Sequence, residues 1–288
     1  IMLVAVVMSL TGHGINYGID FAGGLNLQYD MGSTYDKADV EEALKAQGIE
    51  EFVVSTVGSE GTAVQIRVPT LSDEDEVQNL QNGLETTLLE KYPNMDTDNA
   101  TASYVGPVAG ATLVRNAIFS VLIAAVLMLI YIAFRFDLFS GIAAVAGLLH
   151  DVLIMISFMV ILRNVIQMNS SFIAAMLTIV GYSINNTIVI FDRIRENNKK
   201  PALAGQPRSE IVELSVKESL GRTINTTLTT LVTIVTLYIL GVDAIREFSL
   251  PIIIGILAGA YSANLINGYV WAALEDARLA RKSQKKAA

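Results

Sequence analysis

The chain has no cysteine and only two histidines, His13 and His150. The first absence excludes a disulfide framework, a thiolate nucleophile and a cysteine-ligated zinc or iron–sulfur site; the second leaves little for a histidine-based metal site. A Ser/His/Asp set, HExxH and the GxGD of an intramembrane protease are also missing, so no enzyme and no cofactor is expected. The stretch YGIDFAGG (17–24) carries three glycines but neither GxGxxG nor GxxxxGK[ST] spacing, and reads as a tight turn. No basic patch interleaved with aromatics occurs outside the loops and tail flanking apolar segments, which argues against nucleic-acid binding.

What is present is apolar. Hydrophobic residues make up 52% of the chain and its mean hydropathy is +0.48, too high for a soluble protein of 288 residues. Five runs are long enough to cross a bilayer as helices, at 113–134, 138–162, 172–191, 223–240 and 249–274. The opening IMLVAVVMSL (1–11 with its flank) is about half that length and reads as the outer end of a truncated sixth span. Charge divides the chain. Residues 12–112 hold 17 Asp and Glu against 4 Lys and Arg, whereas the remainder holds 11 against 16. Basic residues cluster at Arg193, Arg195, Lys199, Lys200 and Arg208, and again at Arg278, Arg281, Lys282, Lys285 and Lys286. Since Lys and Arg stay on the cytoplasmic side, the loop 192–221 and the tail 275–288 are expected inside, and 12–112 outside. Trp271 suits an interfacial position at the end of the last span.

The acidic segment reads strand, helix, strand, strand, helix, strand. LNLQYD (25–30) alternates, 36–47 is a helix stopped by Gly48, 52–57 and 62–68 flank a turn at 58–61, 72–92 is a helix capped by Ser72, and 100–105 closes the set. This is the order of a ferredoxin-like α+β domain. Within 192–221, SEIVELSVKESLG is expected to form a short separate helix whose Val212, Val216 and Leu220 share a face.

Polar side chains inside membrane segments are costly and usually face other helices, so they are the candidate working residues. The third span has His150 and Asp151 at its midpoint. The fourth has Asn185 and Asn186, with Thr178, Tyr182, Asn185, Val189 and Asp192 at helical intervals. The fifth begins at Arg222 and carries Thr226, Thr229 and Thr233 on one stripe. If these faces pack together with Asp151, carboxylate, guanidinium and amide satisfy one another in a buried polar centre. The alternative is that the amides and hydroxyls are only interhelical glue. Gly255 and Gly259 form a small-xxx-small pair suited to close packing.

Four stretches in order, YGIDFAGG (17–24), YVGPVAGATL (104–113), LHDV (149–152) and GYSINNTIVIFDRIREN (181–197), the last followed by RTINTTLTTL from Arg222, resemble the SecF side of the SecD/SecF family of protein-export membrane proteins. The resemblance implies a six-helix bundle of the RND superfamily in the bacterial cytoplasmic (inner) membrane, pairing with a SecD half. It also implies action on preproteins beside SecYEG, driven by a proton or sodium gradient, with YidC and YajC as further candidate partners. Half of an RND-type exporter of small molecules or lipids, or a scaffold with no coupling of its own, are the competing functions. Where the family reads SIND, with a buried aspartate as the coupling group, this chain reads SINN, which puts Asn186 at that position. The family's arginine falls on Arg222. Either Asn186 is an introduced isosteric replacement that holds one state, or this chain couples elsewhere, through Asp151, or not at all. Asn185, Thr226, His150 and Tyr182 complete the expected polar network.

Overall fold

Alternating apolar residues in LNLQYD become β1 (Gly24–Asp30), with Leu25, Leu27 and Tyr29 all buried. β1 is a central strand. It pairs antiparallel with β3 (Ala63–Val68) on one side and with β4 (Asp96–Val105) on the other, and β3 pairs with β2 (Val53–Val57), giving the order β2-β3-β1-β4. The helices packed on this sheet's core are α3 (Lys37–Ala46) and α4 (Glu74–Lys91). Val40 and Leu44 of α3 and Leu80, Leu84 and Leu88 of α4 join Leu25, Leu27, Val64 and Ile66 in one apolar core. The period of two explains the other side of the sheet. There Asn26 lies opposite Arg67, and Gln28 opposite Gln65.

The computed structural model describes residues 1–57, 61–69, 71 and 73–287. It comprises two compact units: one is Tyr17–Ala117 with Gln167–Ser170, the other Ile1–Asn16, Ile118–Ile166 and Ser171–Ala288. The turn expected at 58–61 lies mostly outside the described residues, as does Ser72. The N-cap of α4 is Asp73, whose carboxylate accepts from the Glu76 amide at 2.8 Å. YGIDFAGG is more than a turn, since Ile19–Ala22 form one helical turn, α2. Gly24 has φ +108, and a Cβ there would sit 2.3 Å from the Val68 carbonyl oxygen, so β1 starts where only glycine fits.

Inside the first unit, Lys91 Nζ and the Tyr92 hydroxyl both donate to the Asp39 carboxylate, at 2.6 and 2.5 Å, tying α4 to α3. Those bonds hold the Asp39 carboxyl below its ordinary range, the ion pair with Lys91 first. A lowered folded value means that this contribution is present above the ordinary carboxylate range and is lost as pH falls through the folded value. Asp39→Asn is therefore expected to flatten the acid limb of this unit's stability and leave its neutral-pH fold intact. Hydrogen exchange of the α3 and α4 amides against pH checks this, and an unchanged acid limb would refute it.

The second unit holds α1 (Met2–Leu10), α5 (Pro107–Arg135) from Ile118 onward, α6 (Leu138–Ile161), α7 (Ser170–Asn197) from Ser171 onward, α8 (Arg208–Leu240), α9 (Asp243–Ser262) and α10 (Gly268–Ala287). Between α9 and α10 the chain is a π-turn, Ala263–Asn267. Among the described residues, five stretches are long and apolar enough to cross a membrane: Ala109–Arg135, Leu138–Ile161, Ser170–Asn197, Arg208–Leu240 and Ile245–Arg281. They differ in burial. About half of the apolar window is buried in the second, third and fifth, but only 6% in the first and 11% in the fourth.

One expectation about this unit is corrected. SEIVELSVKESLG is not a separate helix: it runs uninterrupted into the next span as the first part of α8, because no proline lies between Arg208 and Leu240 and Gly221 alone does not break a helix of this length. The connection shrinks to 198–207, containing a short 3₁₀ turn, Pro201–Leu203. Val212 is buried and Val216 packs beside it, while Leu220 faces outward. Trp271, expected at the end of the last span, packs inside the bundle. It is 5% exposed, packed in a cluster with Ile194, Val212, Ala263 and Ala272.

Candidate functional site

The motif GYSINNTIVIFDRIREN forms the second half of α7, and its inward face organises the bundle. Ile190, Phe191 and Ile194 fill the core. Toward the end of the helix, Asp192 pairs with Arg135 of α5 at 3.3 Å and Arg193 with Glu218 of α8 at 2.7 Å. Asn197, fully buried, donates to Ser215 Oγ and to Glu218 at 2.9 and 2.8 Å. These contacts explain DRIREN as a structural clamp.

One to two turns earlier on α7 lies the polar centre. Asp151 of α6 is 0% exposed, and its Oδ2 accepts from Ser183 Oγ of α7 at 2.5 Å and from Ser262 Oγ of α9 at 2.9 Å. His150 Nδ1 lies 3.0 Å from Oδ1, and the His150 ring stacks on Tyr261 with centroids 5.8 Å apart. A carboxylate taken out of water needs such donors. One turn along α7, Thr187 Oγ1 accepts from Asn267 Nδ2 at 2.7 Å. Asn267 occupies the space a side chain at Gly147 would fill, with its Oδ1 1.8 Å from where that Cβ would be. Three helices thus converge on Asp151 because glycines let them approach: Gly255 against Ile179 and Gly259 against Ser183 bring α9 onto α7.

Asn186 lies on the same inward face, 3% exposed, and its buried Nδ2 has no hydrogen-bond partner. An amide serving as glue would make an interhelical bond. Asn185, its neighbour, is exposed. The stripe Thr178, Tyr182, Asn185, Val189 and Asp192 is therefore the outer face of α7, with Thr178 and Asn185 exposed and Tyr182 half-buried. The Tyr182 hydroxyl donates to Thr227 of α8 at 3.2 Å.

The second predicted stripe is also corrected. Arg222, Thr229 and Thr233 are exposed, and Thr226, half-buried, donates only to the Arg222 carbonyl of its own helix. Arg222 has no ion pair among the described residues. The face of α8 that packs inward carries Ser215, Ser219, Thr223 and Thr227 instead. Both stripes have helical spacing; burial of Ile211 and Val212 at the start of α8 sets its rotation and turns Arg222 away. Asp151 is thus joined by Ser183 and Ser262, not by Arg222 or Thr226.

Ser183, Thr187, Ser262 and Asn267 escaped the sequence reading. Ser262 and Asn267 are polar residues within an apolar span, the signal used for the other helices, but five residues apart they fall on no common α-helical face.

Two family models match: "Protein export membrane protein SecD/SecF, C-terminal" over residues 85–277 and "SecD/SecF GG Motif" over residues 9–33. The first spans most of the chain and includes Asp151, Asn186 and Ser262. The chain belongs to the SecD/SecF family of protein-export membrane proteins. It is similar to the protein translocase subunit SecF of Rickettsia bellii, 37% identical over 252 residues, which is 88% of this chain and 81% of that protein. Protein translocase subunit SecDF of Bacillus subtilis is 34% identical over 97% of this chain, which corresponds to 37% of the longer protein. Among solved structures, SecDF from Thermus, a translocon-associated membrane protein, superposes with a TM-score of 0.79 at 34% identity, covering 95% of this chain and 36% of that one. A SecDF in its super-membrane-facing form gives a TM-score of 0.67. The chain is a multi-pass membrane protein of the SecDF kind with the SecF role in protein export, and its relatives are transport proteins.

Proposed function

We propose that this SecD/SecF family member is a gradient-driven, non-enzymatic subunit of the preprotein translocase, with Asp151 as the carboxylate that binds the coupling ion, a proton or sodium. The observation that carries this reading is a fully buried Asp151 held by donors from three directions while Asn186, at the family's aspartate position, lies buried on the adjoining helix with its amide donor unpaired. A chain that keeps one carboxylate in the bundle centre retains a group able to gain and lose charge there. An ionised group at that depth costs roughly 2.5–3.5 kcal/mol on insertion scales, so it persists where it works.

Arg222 supports a partner in the membrane. A guanidinium exposed where the apolar part of α8 begins is free to meet a group outside this bundle, and its natural complement is a carboxylate on another bundle. The SecDF relatives, of which this chain matches little more than a third, carry a further stretch of chain that would supply it. The partner is then a SecD half, with SecYEG and the preprotein beyond it and YidC and YajC as further contacts. In this reading 1–11 belongs to a sixth span, and the β1–β4 unit is a ferredoxin-like domain outside the bacterial cytoplasmic (inner) membrane. The tail is inside.

The test is preprotein translocation into vesicles containing SecYEG and SecD, with and without this chain, under an imposed ion gradient. The expected result is gradient-dependent stimulation that requires the chain. Stimulation indifferent to the gradient would reduce it to a scaffold, and gradient-driven movement of a small solute would make it an exporter.

A further inference from the structure

The π-turn Ala263–Asn267 lies between the two residues of its helix that reach the polar centre. Ser262, before it, donates to Asp151, and Asn267, its last residue, donates to Thr187. In an α-helix two residues five apart point about 140° away from each other, so one helix cannot present both to the same neighbours. A turn bonded i→i+5 returns to nearly the same face after five residues. We propose that Ser262 and Asn267 are positioning residues of the coupling centre and that the π-turn between them is its movable joint, able to revert to α-helix and so rotate α10 relative to α9.

Three features make the joint bistable. Ser262 Oγ has an alternative acceptor in its own helix, the Gly259 carbonyl at 3.3 Å, to which it turns when Asp151 lets go. Asn267 Oδ1 is buried with no partner, so its present seat is incompletely satisfied and there is a bond to be gained by leaving it. That seat exists only because Gly147 has no side chain. When Asp151 is ionised, its bond from Ser262 is stronger than one to a neutral group, so loss of charge at Asp151 loosens it. The other titratable groups at the centre are His150 on α6 and Tyr261 on α9, stacked on each other; α7 presents only Ser183, Asn186 and Thr187. The trigger rests on the reading of Asp151 given above, whereas the joint itself stands on geometry.

A chain without cysteine allows a direct test. A Cβ on Gly268, just beyond the joint, would lie 2.7 Å from Val212 Cγ1, and one on Gly255, well before it, 2.4 Å from Ile179 Cγ1, so the two side chains of each pair are neighbours and cysteines there report on their proximity. The pairs Val212→Cys with Gly268→Cys and Ile179→Cys with Gly255→Cys are each oxidised in three backgrounds of the membrane-embedded full chain: unchanged, Asp151→Asn, and Gly147→Ala. Gly147→Ala unseats Asn267 without touching Asp151. Expected is efficient cross-linking of both pairs in the unchanged background. In the other two, the Val212/Gly268 yield should fall several-fold and the Ile179/Gly255 yield should stay. Deleting Leu265, exposed at 56%, removes the extra residue and gives the yield of the α-helical form as a reference. Unchanged Val212/Gly268 cross-linking in both variants overturns the joint, and so does equal loss of both pairs. Loss in Gly147→Ala alone keeps the joint and overturns Asp151 as its trigger. No outcome depends on translocation activity, so failure here is distinguishable from failure of the proposed function.

Discussion

With Asp151 replaced by asparagine, gradient-stimulated translocation is expected to drop to the level seen without a gradient, while translocation driven by the rest of the machinery continues. The substitution is nearly isosteric, and one side-chain oxygen remains to accept from Ser183 and Ser262, the two hydroxyls that now share Oδ2. What disappears is the capacity to change charge. A neutral amide in place of a buried carboxylate relieves a desolvation cost, so thermal stability of the purified chain should hold or rise. That combination separates a working residue from a structural one. If Asp151 served only to hold α6 against α7 and α9, asparagine would lower stability and transport together. A variant that keeps full gradient stimulation would remove Asp151 from the mechanism altogether.

Asn186→Asp is expected to act in the opposite direction. Position 186 is buried on α7 three residues from Ser183, and its amide donates to nothing, so an aspartate displaces no hydrogen bond. An aspartate three residues from Ser183, which donates to Asp151, adds a second group able to gain and lose charge on this face of α7. Gradient stimulation should therefore increase and its pH dependence should change shape from one apparent titration to two. Measuring stimulation against pH for the chain as written and for Asn186→Asp decides the matter. An identical profile in both forms would mean that position 186 does not participate. Stimulation seen only in the aspartate form would move the coupling site to position 186 and leave Asn186 as a block.

Much of this protein is determined by local sequence. The spans follow from apolar length, and β1 follows from alternation that leaves Leu25, Leu27 and Tyr29 on one side. Helix α3 begins at an aspartate cap, Asp36, and ends just before Gly48, both visible in the sequence. Membership in the export family was likewise legible in four short motifs, and the matched family models cover the residues that carry them. Asp151 and Asn186 could be singled out because polar groups in an apolar run are conspicuous at any rotation of the helix.

Rotation is what only the tertiary structure decided. Helices α7 and α8 each carry two polar stripes, and spacing alone favoured the fuller stripe in each, with Asn185 in one and Arg222 in the other. The faces that actually turn inward hold Ser183, Asn186 and Thr187, and Ser219, Thr223 and Thr227. Which stripe is buried depends on the shapes of neighbouring helices: Gly259 opposite Ser183, and Val212 wedged beside Gly268. The contribution of Ser262 and Asn267 was hidden for a second reason. A residue pattern predicts a common face only for the helix it assumes, and the π-turn that unites these two departs from the 3.6-residue period.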